Sequence, residues 1–219
     1  MKKKIFIIIF MFVFAISLIA QESVGITLKV KGNVILKHEE KDFKAQDGSE
    51  LVNKDVLESK TESFAVVKFI DGSSVIKLFP NSILTINTEK TNGKLNKKST
   101  MKLGELWAKV TKNTGDFIVD TPTTVVSVKG TKFVLSVDEN GFTDLYTLEG
   151  IVNMKNKKDD NEANVGSGQK AHSTGENEII LSVIEEGEMD DYDVSLTEIL
   201  NINLKNDDGE KRSIKIELE

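Results

Sequence analysis

Between Val24 and about Val165 the chain is written in short runs whose alternate residues are apolar, broken by turn residues. Period-two alternation is the signature of a half-buried strand, because successive side chains leave a strand on opposite faces. Thr27-Leu28-Lys29-Val30 alternates, Lys31-Gly32-Asn33 turns, and Val34-Ile35-Leu36 resumes. From Phe64 the pattern is clearest: Ala65, Val67 and Phe69 share one face, Asp71-Gly72 intervenes, and Ile76 and Leu78 return in phase. Asp-Gly between two such runs predicts a hairpin with a type I′ turn, which needs positive φ at both central residues. Pro80-Asn81-Ser82 makes the next turn, and Leu84 and Ile86 extend the pattern. Residues 87–100, rich in Lys, Asn and Thr, read as a mobile loop. Leu106, Ala108 and Val110 alternate with Trp107 on the opposite side, and Val125–Val128 and Phe133–Val137 follow. Asp138-Glu139-Asn140-Gly141 suits a longer hairpin loop ending in a left-handed glycine. Leu145–Leu148 and Ile151–Met154 then flank Glu149-Gly150. No helix-period segment of useful length precedes residue 175. Strands recurring at this spacing predict an all-β fold: a twisted two-layer β-roll or sandwich, with a solenoid-like arrangement as the variant.

The first twenty residues read as a targeting segment. Lys2, Lys3 and Lys4 precede an apolar run from Ile5 to Ile16, continued through Ala20. That order describes a secretory signal peptide, and the run is short for a membrane span. Leu18 stands where a cleavage site wants a small residue, so an uncleaved N-terminal membrane tether is the second reading. The sequence contains no cysteine, which removes disulfides, zinc–thiolate sites and cysteine nucleophiles together. An exported domain built this way has to be held by its core. Charge is unevenly placed: residues 21–175 carry 22 Lys/Arg against 21 Asp/Glu, whereas residues 176–219 carry 4 against 14. Neither part has the basic stripe of a nucleic-acid binder. The composition predicts three parts: a signal peptide over 1–20, a β domain over 21–172, and a partly ordered acidic extension over 173–219. In the extension, Ile179–Ile184 reads as a strand and Glu185–Asp193 as a solvated acidic run. Ser195–Leu200 reads as the start of a short helix and Arg212–Leu218 as a closing strand.

Chemistry-bearing residues are sparse. His38 and His172 are the two side chains suited to general-base work near neutral pH. His38 adjoins Glu39 and Glu40, but neighbours on a strand point to opposite faces, so surface histidine is the better reading. Gly166-Ser167-Gly168-Gln169-Lys170 lacks the spacing of a phosphate loop, and Asn206-Asp207-Asp208-Gly209 fails the EF-hand pattern. No catalytic, cofactor or metal residue is assigned. Trp107 has two readings, a ring packed into a second core face or an exposed ring that contacts a sugar or a protein partner.

One ordered series of turns carries a resemblance. Asp71-Gly72-Ser73 follows the strand from Ser63, then come Pro80-Asn81-Ser82 and Leu103-Gly104-Glu105-Leu106. Thr121-Pro122-Thr123 precedes Val128-Lys129-Gly130-Thr131-Lys132-Phe133, and Leu148-Glu149-Gly150 and Gly168-Gln169 close the series. From about Gly32 to Gln169 this resembles the FecR domain. The resemblance implies the envelope-facing β domain of regulators that pass a signal from an outer-membrane transporter to a sigma factor. Four residues precede the apolar run here, so the cytoplasmic sigma-binding segment of those regulators is not expected. Asn53-Lys54-Asp55 stands where the family often has Gly-Asp. Physically the motif residues read as architecture: Gly72, Gly104, Gly130 and Gly150 at positive φ or close approach, Pro122 at a strand start or edge. Thr121, Thr123 and Thr131 are suited to bonding turn backbone.

The expected function is a non-catalytic interaction and signalling module in the periplasm or cell envelope. Its expected partner is an envelope protein such as an outer-membrane receptor or transporter. The competing expectation is a module that binds carbohydrate or cell-wall glycan, with Trp107 as its contact.

Overall fold

A computed structural model describes residues 22–112, 114–189, 192, 202–205 and 211–214. Eighteen strands join into one continuous sheet that curls into two layers, a half-barrel roll of the expected all-β class. In chain order the first nine are β1 (Ser23–Lys31), β2 (Val34–His38), β3 (Lys41–Lys44), β4 (Glu50–Val52), β5 (Val56–Ser59), β6 (Phe64–Phe69), β7 (Ser74–Leu78), β8 (Ser82–Thr85) and β9 (Thr88–Thr91). The next nine are β10 (Lys94–Val110), β11 (Phe117–Asp120), β12 (Thr124–Val128), β13 (Lys132–Val137), β14 (Thr143–Glu149), β15 (Ile151–Asn156), β16 (Glu162–Gly166), β17 (Gln169–Ser173) and β18 (Ile180–Val183). A separate hairpin joins β19 (Ile202–Lys205) to β20 (Lys211–Ile214).

One layer runs β4-β1-β6-β7-β10-β13-β14-β17-β18, antiparallel throughout. The other runs β3-β2-β5-β8-β10-β11-β12-β15-β16, with β9 continuing β8 along β10. Strand β10 belongs to both. Its first part, to Leu103, pairs with β8, β9 and β11, and from Gly104 onward it pairs with β7 and β13. The crossing is made at Gly104, where φ is +93° and an added Cβ would lie 2.5 Å from the Ser82 Cα. Only glycine meets both conditions without strain. Between the layers lies the main core, where Phe117 of the second layer meets Phe69 and Phe133 of the first edge-on, at 6.3 Å between ring centroids in each case. Edge-to-face is the geometry that the aromatic quadrupole favours.

Two local expectations are corrected. Residues 87–100 are not a loop: β9 and the start of β10 form a hairpin there. Its turn is Asn92-Gly93, with φ of 53° and 75°, and this is where the two-residue positive-φ turn occurs. The Asp71-Gly72 turn is instead a four-residue connection, Ile70–Ser73, in which Gly72 has positive φ and Asp71 does not. Asp71 caps it by accepting from Ser73 N–H (3.1 Å) and Ser73 Oγ (2.7 Å). The sheet also continues past residue 172, since β17 reaches Ser173 and β18 pairs with it. The helix expected over Ser195–Leu200 lies outside the described residues. So do residues 1–20 and the second half of Arg212–Leu218.

Candidate interaction surface

The motif residues hold the roll together at its turns. Thr121 and Thr124, either side of Pro122, share hydroxyl contacts of 2.9–3.3 Å with each other and with Thr143 of β14. All three are buried, so this threonine cluster ties the β11–β12 turn of one layer to the β13–β14 turn of the other. Ser82 does similar work beside Pro80. Its Oγ accepts from Glu105 N–H at 2.8 Å, next to Gly104. Gly130 packs on Lys112, Gly150 packs on Thr131, and Phe133 is fully buried. These residues touch neighbouring turns and strands of the chain itself.

Asp71 has a second partner that the sequence did not announce. Lys97 of β10 is 2% exposed, with its ammonium on the Asp71 carboxylate and 5.7 Å from the Phe69 ring centroid. Burial pushes the Asp71 carboxyl up, but the hydrogen bonds from Lys97 and Ser73 outweigh it and hold the group below its ordinary value.

Trp107 is 1% exposed, so its ring is not available on the surface to a sugar or a partner. With Val66, Val75 and Val134 it forms a second core on the outer face of the first layer, flanked by Phe64, Phe79, Tyr146 and Leu148. What covers that face is the start of the acidic extension. Met189 and Tyr192 pack onto it, Tyr192 meets the Phe79 ring at 5.3 Å, and Glu188 pairs with Lys170 of β17 at 2.7 Å. The Glu185–Asp193 run is therefore a strap over its described length. Under it, burial pushes the Glu105 carboxyl above its ordinary value against the opposing pull of the Tyr192 hydroxyl and Lys77.

Each histidine has a carboxylate partner. His38 Nδ1 lies 2.7 Å from Asp55, which also accepts Val52 N–H, and His172 Nδ1 lies 2.7 Å from Asp144. No hydroxyl nucleophile hydrogen-bonds either ring among the described residues. Nor does any group of three His, Asp or Glu side chains converge as a metal site there. The outer face of the second layer is a shallow trough with Asn53, Asn87, Asn96, Asn153, Asn164 and Asp116 along it.

The outermost strands of the two layers differ in the edges they leave free. β3 (Lys-Asp-Phe-Lys) is charged, β4 is three residues long, and β16 carries Glu162 and ends in Gly166. β18 reads Ile-Leu-Ser-Val, with Ile180 62%, Leu181 43% and Val183 71% exposed. Its pairing sets Leu181 opposite buried Ala171 and Val183 opposite Gln169. Leu181 and Val183 are thus on the core-facing side of the layer, where the second layer no longer covers them. An uncharged apolar edge of this kind is a template for another strand. Local alternation marked Ile179–Ile184 as a strand. That it ends the sheet follows only from the topology.

Comparison with known proteins agrees with this architecture. The family described as "FecR protein" matches residues 55–153, from the start of β5 into β15. Two crystal structures, at 2.50 and 1.65 Å, of a protein from Parabacteroides distasonis ATCC 8503 described as a "putative anti-sigma factor" share the fold. Each has a TM-score of 0.50 and 20% sequence identity, over 58% of this chain. The match spans 59% of that protein's length. No curated protein matches the chain.

Proposed function

We propose, from the premise that residues 55–153 are a FecR domain, that the chain is an exported, non-catalytic signalling module of the cell envelope. It works by docking an envelope protein, an outer-membrane receptor or transporter, along a strand edge. The observation that carries this reading is β18, the one edge among the described residues that combines exposed aliphatic side chains with no charge of its own. Main-chain ladder bonds would give affinity there, and the alternate pockets beside Leu181 and Val183 would give specificity. The absence of any nucleophile–base pair or metal cluster among the described residues fits a binding role. So does the resemblance to a protein described as an anti-sigma factor.

The test is capture of the tagged full chain from cross-linked cells of its own source, with the N-terminus of the recovered chain sequenced. A chain beginning near Gln21 with a receptor or transporter attached supports the reading. A chain beginning at Met1 without a protein partner contradicts it and favours a tethered glycan-binding module. With Trp107 buried, that second reading falls back on the amide-lined trough of the second layer. Titration with soluble glycans checks it directly.

A further inference from the structure

The outer face of the first layer is basic as well as apolar. Its strand register sets the charges in two cross-strand rows. In one, Lys68 and Lys109 flank Val75, and Lys109 lies directly opposite Lys132. In the next, Lys29 and Lys77 flank Val66, Trp107 stands beside Lys77, and Lys170 closes the row on β17. Like charges set this close destabilise a sheet. Lys132 reaches Glu149 at 3.9 Å and Lys170 reaches Glu188 at 2.7 Å. Lys29, Lys68, Lys77 and Lys109 form no ion pair among the described residues. Two of the ammonium groups rest on rings: Lys77 over Phe79 at 4.6 Å and Phe64 at 5.4 Å, and Lys132 over Trp107 at 6.0 Å. Burial holds the Lys77 ammonium below its ordinary value, with Lys29 adding to the effect and Glu105 opposing it.

The strap that covers part of this face has the opposite character. It leaves the sheet directly after β18, where Ile184 N–H bonds to the Gly168 carbonyl at 2.9 Å. Glu188 N–H bonds to the Glu185 carbonyl, and Tyr192 N–H to the Met189 carbonyl, so these amides bond within the strap. Side chains seat it on the face: Met189 and Tyr192 in the second core, Glu188 on Lys170, and the Tyr192 hydroxyl on Glu105. Glu185 and Glu186 remain exposed. The Trp107 indole N–H is buried in this cluster without a hydrogen-bond partner among the described residues. An unsatisfied buried donor is costly, so a segment that brings an acceptor to it gains over the strap. A segment with carboxylates for the four unpaired lysines gains again.

We infer that the outer face of the first layer is a docking surface for an acidic protein segment with an aromatic anchor. Glu185–Met189 and Tyr192 occupy it in the isolated chain as a built-in stand-in that such a partner displaces. This surface is separate from the β18 edge and stands without it.

The test uses the full chain and a synthetic peptide with the sequence of residues 184–193. Trp107 is the one tryptophan in the sequence, so its fluorescence reports this face directly. In Met189→Ala/Tyr192→Ala the emission is expected to shift to the red, and added peptide is expected to restore it. Slow exchange of β13 and β14 amides in that variant shows that the fold is intact. The parent should bind the peptide about tenfold or more weaker than the variant, because its own strap holds the site. Adding Lys77→Glu/Lys109→Glu to the variant should weaken the peptide by about tenfold, whereas adding Lys41→Glu/Lys44→Glu on β3 should not. A strap variant with unchanged emission and no peptide binding would overturn the inference. So would binding of phosphatidylglycerol vesicles through the same lysines without binding of the peptide, which would make the face a lipid surface. Loss of peptide binding on adding Leu181→Lys/Val183→Lys to the strap variant would also overturn it, by placing the peptide on the β18 edge. Those two residues are separate from the face, so failure of the inference leaves the capture experiment to decide the edge reading independently.

Discussion

The two ends of the roll are finished differently. At the N-terminal end the outermost strands are a charged β3 and a three-residue β4, whose Leu51 is fully buried. At the C-terminal end the first layer runs past the second and leaves β18 with exposed aliphatic residues. Sheets ordinarily blunt an edge with charge, brevity or a bulge, and stacked β architectures need polar caps at both ends. Here the N-terminal end has those features and the β18 edge lacks them. The difference teaches where an added strand gains most: at β18 it extends a half-covered core, whereas at β3 it would meet lysines.

Both ends hang on the middle of the roll, where β10 joins the two layers, and the largest expected effect falls there. Gly104→Val places a branched side chain at positive φ and against Ser82, so it should destabilise the fold by about 3–5 kcal/mol. Urea unfolding should show one transition shifted for both ends. Two separate transitions would mean that the two ends unfold independently. Next is Asp71→Ala, which leaves the Lys97 ammonium buried without its carboxylate, at about 3 kcal/mol. The sign with pH follows from the lowered folded value of Asp71. Its contribution is present above the ordinary carboxylate range and is lost as pH falls through the folded value. Stability curves of the variant and the parent should therefore converge in acid.

Glu105 runs the other way. Its folded value is raised, so its contribution is present below the ordinary carboxylate range and disappears as pH rises through the folded value. Glu105→Gln should flatten that part of the stability curve and favour the strapped state at neutral pH. Exchange of Glu188 and Met189 amides would report it. The smallest effect concerns the blunted end. Lys54, at φ 76° beside the Asp55–His38 pair, holds a left-handed conformation, and Lys54→Gly should stabilise that end by about 0.5–1 kcal/mol. Thermal unfolding with a shift in the opposite sense would show that the end is held some other way.

Much of this was legible in the sequence because the turns are chemically explicit. Pro122, Gly130 and Asp138–Gly141 announce the stack of hairpins, and Leu106, Ala108 and Val110 announce the central strand. Where reading failed, the deciding partner was far away in sequence. Lys97 and Ser99 made residues 87–100 look solvated, yet both face inward, and Lys97 is tolerated there because Asp71 lies 26 residues upstream. Met189 and Tyr192 sat among acids and looked exposed. Only the outer face around Trp107 gives them a place to pack. The β18 edge was visible as a strand but not as an end, since alternation says nothing of which strand has no further neighbour.

On the proposed function, partners dock at the β18 end and not at the β3 end. Its most direct test is the affinity of the captured envelope partner for the full chain, compared with Leu181→Lys/Val183→Lys and with Phe43→Lys. These positions are exposed, so each protein should fold as the parent does. The account predicts that the β18 variant loses at least about tenfold in affinity, as two apolar contacts replaced by charge should cost, while the β3 variant binds unchanged. Equal binding by all three, or loss confined to the β3 variant, would contradict it.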